Sequence, residues 1–161
     1  MTGEQADSFE TLLLAQERKV LRTAWRILGS LEDAQDVAQE VFLKLHRHWR
    51  RLDPVTLEGW LYRTTVNACF DVLRKRTNDT ELTTEPAMPP GEDLERDERR
   101  RLVAEGLKAL PERERAALVL REIEGLSTAE TAAVLGVAEV TVRSQISMAK
   151  ARLKRWLEER R

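Results

Sequence analysis

The residues able to do chemistry in this chain form a short inventory. Cys69 is the only cysteine, and His46 and His48 are the only histidines. One thiol can form no intramolecular disulfide and no multi-cysteine zinc site. The two histidines, two positions apart on a helix, point to different faces and cannot share a metal. Cys69 reads as a small buried core residue. Metal and nucleophilic catalysis therefore have little to work with, and neither a cofactor nor a catalytic residue is expected. What remains is hydrogen-bonding and ionic chemistry. Thr141, Arg143, Ser144, Gln145 and Lys150 cluster near the C-terminus, and these residue types contact phosphates and base edges. Arg63, Asn67, Asp71 and Arg74 recur at i, i+4, i+8 and i+11, a polar stripe along one helical face.

The elements that must position these groups are all helical. A first helix is expected over residues 8–28, capped by Ser8, with Phe9, Leu13, Val20, Ala24 and Ile27 near helical spacing and Gly29 closing it. Ser30-Leu31-Glu32-Asp33 resembles a capping box and starts a second helix. Its apolar stripe (Ala34, Val37, Ala38, Val41, Phe42, Leu45 and Trp49) is the cleanest periodicity in the chain. A third helix follows Pro54, from about Leu57 to Arg76, with Trp60, Leu61, Thr65, Ala68 and Val72 towards a core. Residues 77–91 bring Pro86, Pro89, Pro90 and Gly91 with almost no large apolar groups, the composition of a linker. About 15 such residues reach roughly 50 Å extended and roughly 20 Å as a random coil.

Helices resume at Glu92. The stretch to Ala109 is highly charged, with Leu94, Leu102, Val103 and Leu107 as a thin apolar seam. Pro111 is expected at the first helical position, and Ala117, Leu118, Leu120 and Ile123 carry the next helix to Gly125. Ser127-Thr128-Ala129-Glu130 is a second capping box, opening a short helix to Leu135. Gly136-Val137-Ala138 makes a tight turn before a last helix from about Glu139. A short helix, a glycine-containing turn and a longer helix make a helix-turn-helix. Ala132, Val134 and Leu135 are expected to pack on Val142 and Ile146, leaving the Thr141–Lys150 polar set for the major groove. The plain competitor is a helical hairpin in a bundle, which the turn, the capping box and the basic final helix disfavour together. No segment reads as a strand.

Composition agrees with a helical protein in water. Hydrophobic residues make up 42% and charged residues 34% of 161, enough for packed cores and too charged for a membrane protein. No apolar run approaches the roughly 20 residues of a transmembrane helix. Met1 to Asp7 is polar and acidic, unlike a signal peptide, so a cytoplasmic location is expected. The net charge of −1 hides an uneven distribution. Residues 54–76 carry a net +2, residues 127–161 a net +3, and residues 77–103 a net −4. Two basic faces flank an acidic connector, the pattern of a nucleic-acid binder with a solvated middle.

Leu110 to Leu153, reading LPERERAALVLREIEGLSTAETAAVLGVAEVTVRSQISMAKARL, resembles region 4 of an extracytoplasmic-function (ECF) RNA polymerase sigma factor. Ile27 to Leu45, ILGSLEDAQDVAQEVFLKL, resembles region 2 of that family. Gly59 to Arg76, GWLYRTTVNACFDVLRKR, is similar to the promoter-opening part of region 2. The resemblance implies an all-α chain of two small domains: a region 2 helical bundle over residues 8–76 and a region 4 helix-turn-helix over residues 92–161, joined by a flexible linker at 77–91. It implies a factor that directs core RNA polymerase to promoter DNA, with no catalysis of its own. It also leaves room for a separate anti-sigma factor. Because the chain ends at Arg161, soon after the last helix, restraint is expected from a separate protein or from expression level.

Residue by residue, the resemblance implies that the second helix docks on a coiled coil of the polymerase largest subunit through Asp36, Gln39 and Glu40. It implies that Arg63, Asn67, Arg74, Lys75 and Arg76 engage the upstream part of the opened promoter, with Asn67 on a base edge and the cations on phosphates. Asp71 reads better as a structural partner of Arg74 or Arg63, and Trp60 as core; Tyr62 and Phe70 stay open. The chain departs from the family at Val140, where glycine is common, and at Gln145 and Met148, where arginine is common. Glutamine pairs with adenine where arginine prefers guanine, so a changed base preference is expected, with more weight on Arg143 and Lys150. The rival reading from another class is a stand-alone helix-turn-helix regulator whose N-terminal half senses a ligand or dimerises. A purely structural helical adaptor leaves the basic final helix without a purpose.

Overall fold

The structure is a computed structural model describing residues 3–78 and 94–160. Helix α1 spans Gly3–Leu28, α2 Leu31–His48 and α3 Pro54–Asn78, with a 3₁₀ turn at Trp49–Arg51 between the last two. Then come α4 (Leu94–Lys108), α5 (Glu112–Leu118), a π turn at Val119–Ile123, α6 (Thr128–Leu135) and α7 (Glu139–Glu159). The described residues contain no strand. Residues 79–91 of the expected linker lie outside the described residues, and residues 77 and 78 belong to α3. Helix α1 starts five residues ahead of the expected Ser8 cap, which therefore lies inside it.

Local signals set the helix ends. Gly29 has φ +71°, and its amide bonds the Trp25 carbonyl at 2.7 Å; a left-handed residue there ends α1 without a Cβ penalty. Ser30 caps α2 through its hydroxyl, which accepts from the Asp33 amide at 3.3 Å. Ser127 and Glu130 close a full capping box at 3.0 and 2.9 Å, and Gly136 at φ +68° ends α6. Pro111 precedes α5 as its cap rather than occupying its first turn.

The α2 stripe is buried as expected at Ala34, Val37, Ala38, Val41 and Leu45, with Phe42 and Trp49 half-buried. In α3, Leu61, Thr65 and Ala68 are buried, while Trp60 and Val72 are only partly so. Tyr62, Val66, Cys69, Phe70 and Leu73 are buried there instead. The reason is tertiary: α3 packs on α1 and α2 on one side and on α6 on the other. Its apolar stripe is therefore wider than one core face requires.

The expected seam of α4 is corrected more sharply. Leu102 and Val103 are 42% and 47% exposed, and Ala104 and Leu107 are the buried residues; the Leu94 side chain lies outside the described set. Helix α4 turns its small face, Ala104 to Gly106, towards α7. A Cβ at Gly106 would come within 2.9 Å of Leu153 and 3.3 Å of Trp156, so close approach decides the phase and the larger residues are left outside.

The two halves of the chain rest on each other. Helix α1 touches α4, α5 and the π turn, and α3 touches α6. One apolar cluster runs from Val20 and Ile27 through Leu73 to Leu107, Leu120 and Leu135.

Candidate nucleic-acid interface

Three surfaces carry the residues singled out from the sequence. On α2, Asp36, Gln39 and Glu40 are exposed beside the buried stripe, and Glu40 pairs with Lys44 at 3.2 Å. Of the three, Gln39 lines an open groove of about 570 Å³ between α1 and α2, together with Leu13, Glu17, Leu21, Gln35 and Phe42. This rim is acidic and amide-bearing above an apolar floor, which suits a partner helix with basic and apolar faces.

On α3, Arg63, Asn67, Asp71 and Arg74 are all exposed on one face, and Arg74 forms an ion pair with Asp71. Lys75 is exposed as well. Arg76 is drawn off this surface. It is half-buried, donates to the Leu28 carbonyl at 2.8 Å and pairs with Asp33. That carbonyl belongs to the last turn of α1, where backbone acceptors lack helical partners and the helix dipole favours a cation. Arg76 joins α1, α2 and α3 in this way, and its guanidinium holds the bundle.

On α7, the buried Val142 and Ala149 seat the helix, and Ala132, Val134 and Leu135 of α6 are buried beside it. Arg143 and Ser144 are exposed and Thr141 is half-buried. Gln145 is half-buried too, and its Oε1 atom is enclosed with no hydrogen-bond partner. Lys150 reaches back to Glu122 at 2.8 Å, and that ammonium holds the Glu122 carboxyl below the ordinary range. Of the five expected groove contacts, Arg143 and Ser144 thus point outward unengaged by any described ion pair. An exposed ion pair of this kind is cheap to break, so the Lys150 ammonium is available to another anion.

Further charged residues were not singled out by spacing. Arg115 is 9% exposed and donates to four carbonyls: Leu107 at 2.7 Å, Leu110 at 2.9 Å, Lys108 at 3.4 Å, and Ile27 of the other half at 2.5 Å. Desolvation lowers its pKa, yet a guanidinium stays charged at neutral pH. The Glu124 side chain is 1% exposed. It accepts from Arg22 at 3.3 Å, Arg26 at 3.4 Å and the Tyr62 hydroxyl at 3.1 Å. Burial and the facing carboxylate push the Tyr62 phenol well above its ordinary value. Arg113 stacks over the Phe70 ring at 4.4 Å. The only hint in the sequence is the charge density of PERER and LREIEG, which a solvated helix shares.

No group of three or more metal-ligating side chains converges among the described residues. Cys69 is fully buried, and desolvation raises its thiol pKa, which makes it an inert packing residue.

The comparisons with known proteins cover both halves. Residues 12–78 match the Sigma-70 region 2 family and residues 100–153 match the Sigma-70 region 4 family. The ECF RNA polymerase sigma factor SigE of Mycolicibacterium smegmatis is 38% identical over 97% of this chain, which spans 65% of that relative's length. The ECF RNA polymerase sigma factor SigM of Mycobacterium tuberculosis is 36% identical over 93% of this chain and 77% of its own length. Among solved structures, the sigma factor RpoE from Bartonella quintana, in complex with the anti-sigma factor NepR, shares the fold with a TM-score of 0.77. It covers 96% of this chain and 99% of its own, at 24% identity. A stand-alone helix-turn-helix regulator leaves the region 2 match over the N-terminal half without an account. The chain belongs to the ECF RNA polymerase sigma factors.

Proposed function

We propose that this chain binds core RNA polymerase through the exposed rim of α2 and carries it to promoters that its two domains read separately. Asp36, Gln39 and Glu40 are the polymerase contacts, Arg63, Asn67, Arg74 and Lys75 face the opened DNA, and Thr141, Arg143, Ser144, Gln145 and Lys150 face the upstream element. Arg76 acts on DNA indirectly, by fixing α3 against the end of α1. The domains are residues 8–76 and 92–161, with 77–91 as the tether. The observation that carries the reading is the pair of matched regions in one chain, each bearing an exposed polar stripe on a helix whose other face is buried. The polymerase supplies the catalysis, so the chain itself is no enzyme and needs no cofactor. No helix among the described residues is long and apolar enough to cross a membrane, and a cytoplasmic location follows from the partner. Since the related RpoE is held by an anti-sigma factor, a separate protein of that kind is a proposed partner here.

A magnitude bounds the division of labour. Opening duplex costs about 1.4 kcal/mol per stacked step, and stacking one base on an aromatic side chain returns about 1–3 kcal/mol. With Tyr62 and Phe70 buried and Trp60 partly so, α3 offers the free chain too little aromatic surface to hold separated strands. Permanganate should therefore find no reactive promoter thymines with the chain alone, and a reactive patch once core polymerase is added. Reactivity without polymerase would overturn this account.

The groove-reading residues are tested at Gln145. Its amide oxygen is enclosed without a partner, so reading a base requires this half-buried side chain to turn outward from α7. Gln145→Arg should tighten upstream-element binding and shift preference towards guanine, by about 5- to 100-fold if one bidentate contact is gained. A selection that returns the same sequence logo and affinity for both forms would refute the assignment.

A further inference from the structure

The contact between the two halves has a feature that chance packing does not supply. Glu124 belongs to the C-terminal half, yet the donors that solvate its buried carboxylate, Arg22, Arg26 and Tyr62, all belong to the N-terminal half. A carboxylate enclosed without partners would be strongly disfavoured; with three donors it is held in one register. The π turn aims it: the Glu124 amide bonds the Val119 carbonyl at 2.9 Å, a five-residue step that widens the helix just before the carboxylate. Arg115 repeats the logic in reverse, reaching the Ile27 carbonyl at the end of α1.

The contact also covers one edge of α3. Tyr62 and Phe70 lie eight residues apart within its buried stripe, and each is capped by the other half, Tyr62 by Glu124 and Phe70 by Arg113.

We propose that the chain carries its own brake: Glu124, seated on Arg22, Arg26 and Tyr62, latches the C-terminal domain onto the α1–α3 bundle, and polymerase, which meets an exposed α2 rim in either form, holds both domains on their separate promoter elements only after that latch opens. This rests on the sigma-factor reading above. The latched form lowers the apparent affinity for polymerase by the fraction of chains that are open, and a variant that opens the latch removes that handicap.

The test uses the full chain and two readouts, small-angle scattering of the free protein and titration against core polymerase. A closed chain of this length should show a radius of gyration of about 15 Å, and two domains on an extended tether more than about 20 Å. Glu124→Arg, and separately Arg22→Glu with Arg26→Glu, should each give the larger value with unchanged helical circular dichroism, and each should tighten polymerase binding at least fivefold. Combining all three substitutions restores opposite charges and should return the chain to the compact value and the weaker binding, which separates unlatching from misfolding. An extended wild type, compact variants, or open variants that bind polymerase no better would each overturn the brake. If no form binds polymerase, the sigma reading itself fails and takes the brake with it, whereas failure in scattering alone leaves that reading standing.

Discussion

Replacing three exposed side chains on α2, as Asp36→Arg, Gln39→Ala and Glu40→Arg, is expected to weaken binding to core RNA polymerase by about 100-fold or more. The estimate follows from charge reversal at a contact with a basic partner. Close interfacial charge pairs couple with about 1.5–7 kcal/mol, and about 2.7 kcal/mol already corresponds to 100-fold. Stability should barely change, because all three positions are exposed and the only described ion pair lost is Glu40 with Lys44. A helix-surface pair at i, i+4 is worth about 0.3–0.5 kcal/mol. Loss of binding with an unaltered melting curve is thus the expected signature, read by competition against a labelled sigma factor. Binding reduced less than threefold would remove α2 from the polymerase contact.

Arg115→Ala is the substitution expected to damage the fold most. The Arg115 guanidinium satisfies carbonyls at the end of α4, in the turn into α5, and at the end of α1. Each buried acceptor left without a donor costs about 1–3 kcal/mol, against which relief of the buried charge returns part. The net loss should be about 2–4 kcal/mol by urea unfolding, or roughly 10 °C in Tm for a chain of this size. Arg115→Lys should recover only a minor part, since one ammonium cannot span acceptors that a planar fork reaches together. A loss below about 1 kcal/mol for the alanine variant would mean that water replaces the guanidinium freely and that it carries no structural weight.

What could be read beforehand and what could not divides along sequence distance. The α2 stripe, the Ser30 and Ser127 caps and the Gly136 turn depend on residues within a few positions of each other, so periodicity and capping rules reach them. The α4 seam failed because its phase depends on how closely α7 approaches Gly106, which a pattern of apolar residues does not encode. The width of the α3 stripe failed for a related reason, a second packing partner in α6. The exposed polar residues of α2, of α3 up to Lys75, and Arg143, Ser144 and Lys150 of α7 are legible once the apolar faces are fixed, whereas Thr141 and Gln145 are half-buried. Arg76 is indistinguishable in the sequence from its basic neighbours because its acceptor, Leu28, lies 48 residues away. Arg115 and Glu124 were invisible for the same reason at greater range, with partners 88 and 102 residues distant. A buried charge declares itself only through those partners.

Run-off transcription with purified core polymerase on a promoter library shows whether this chain turns core polymerase into a promoter-specific enzyme. Discrete transcripts are expected only when chain and polymerase are both present, sharing two upstream sequence elements, and lost with the α2 triple variant. Sequence-specific DNA binding by the chain, with no transcripts and no association with polymerase, would contradict that reading.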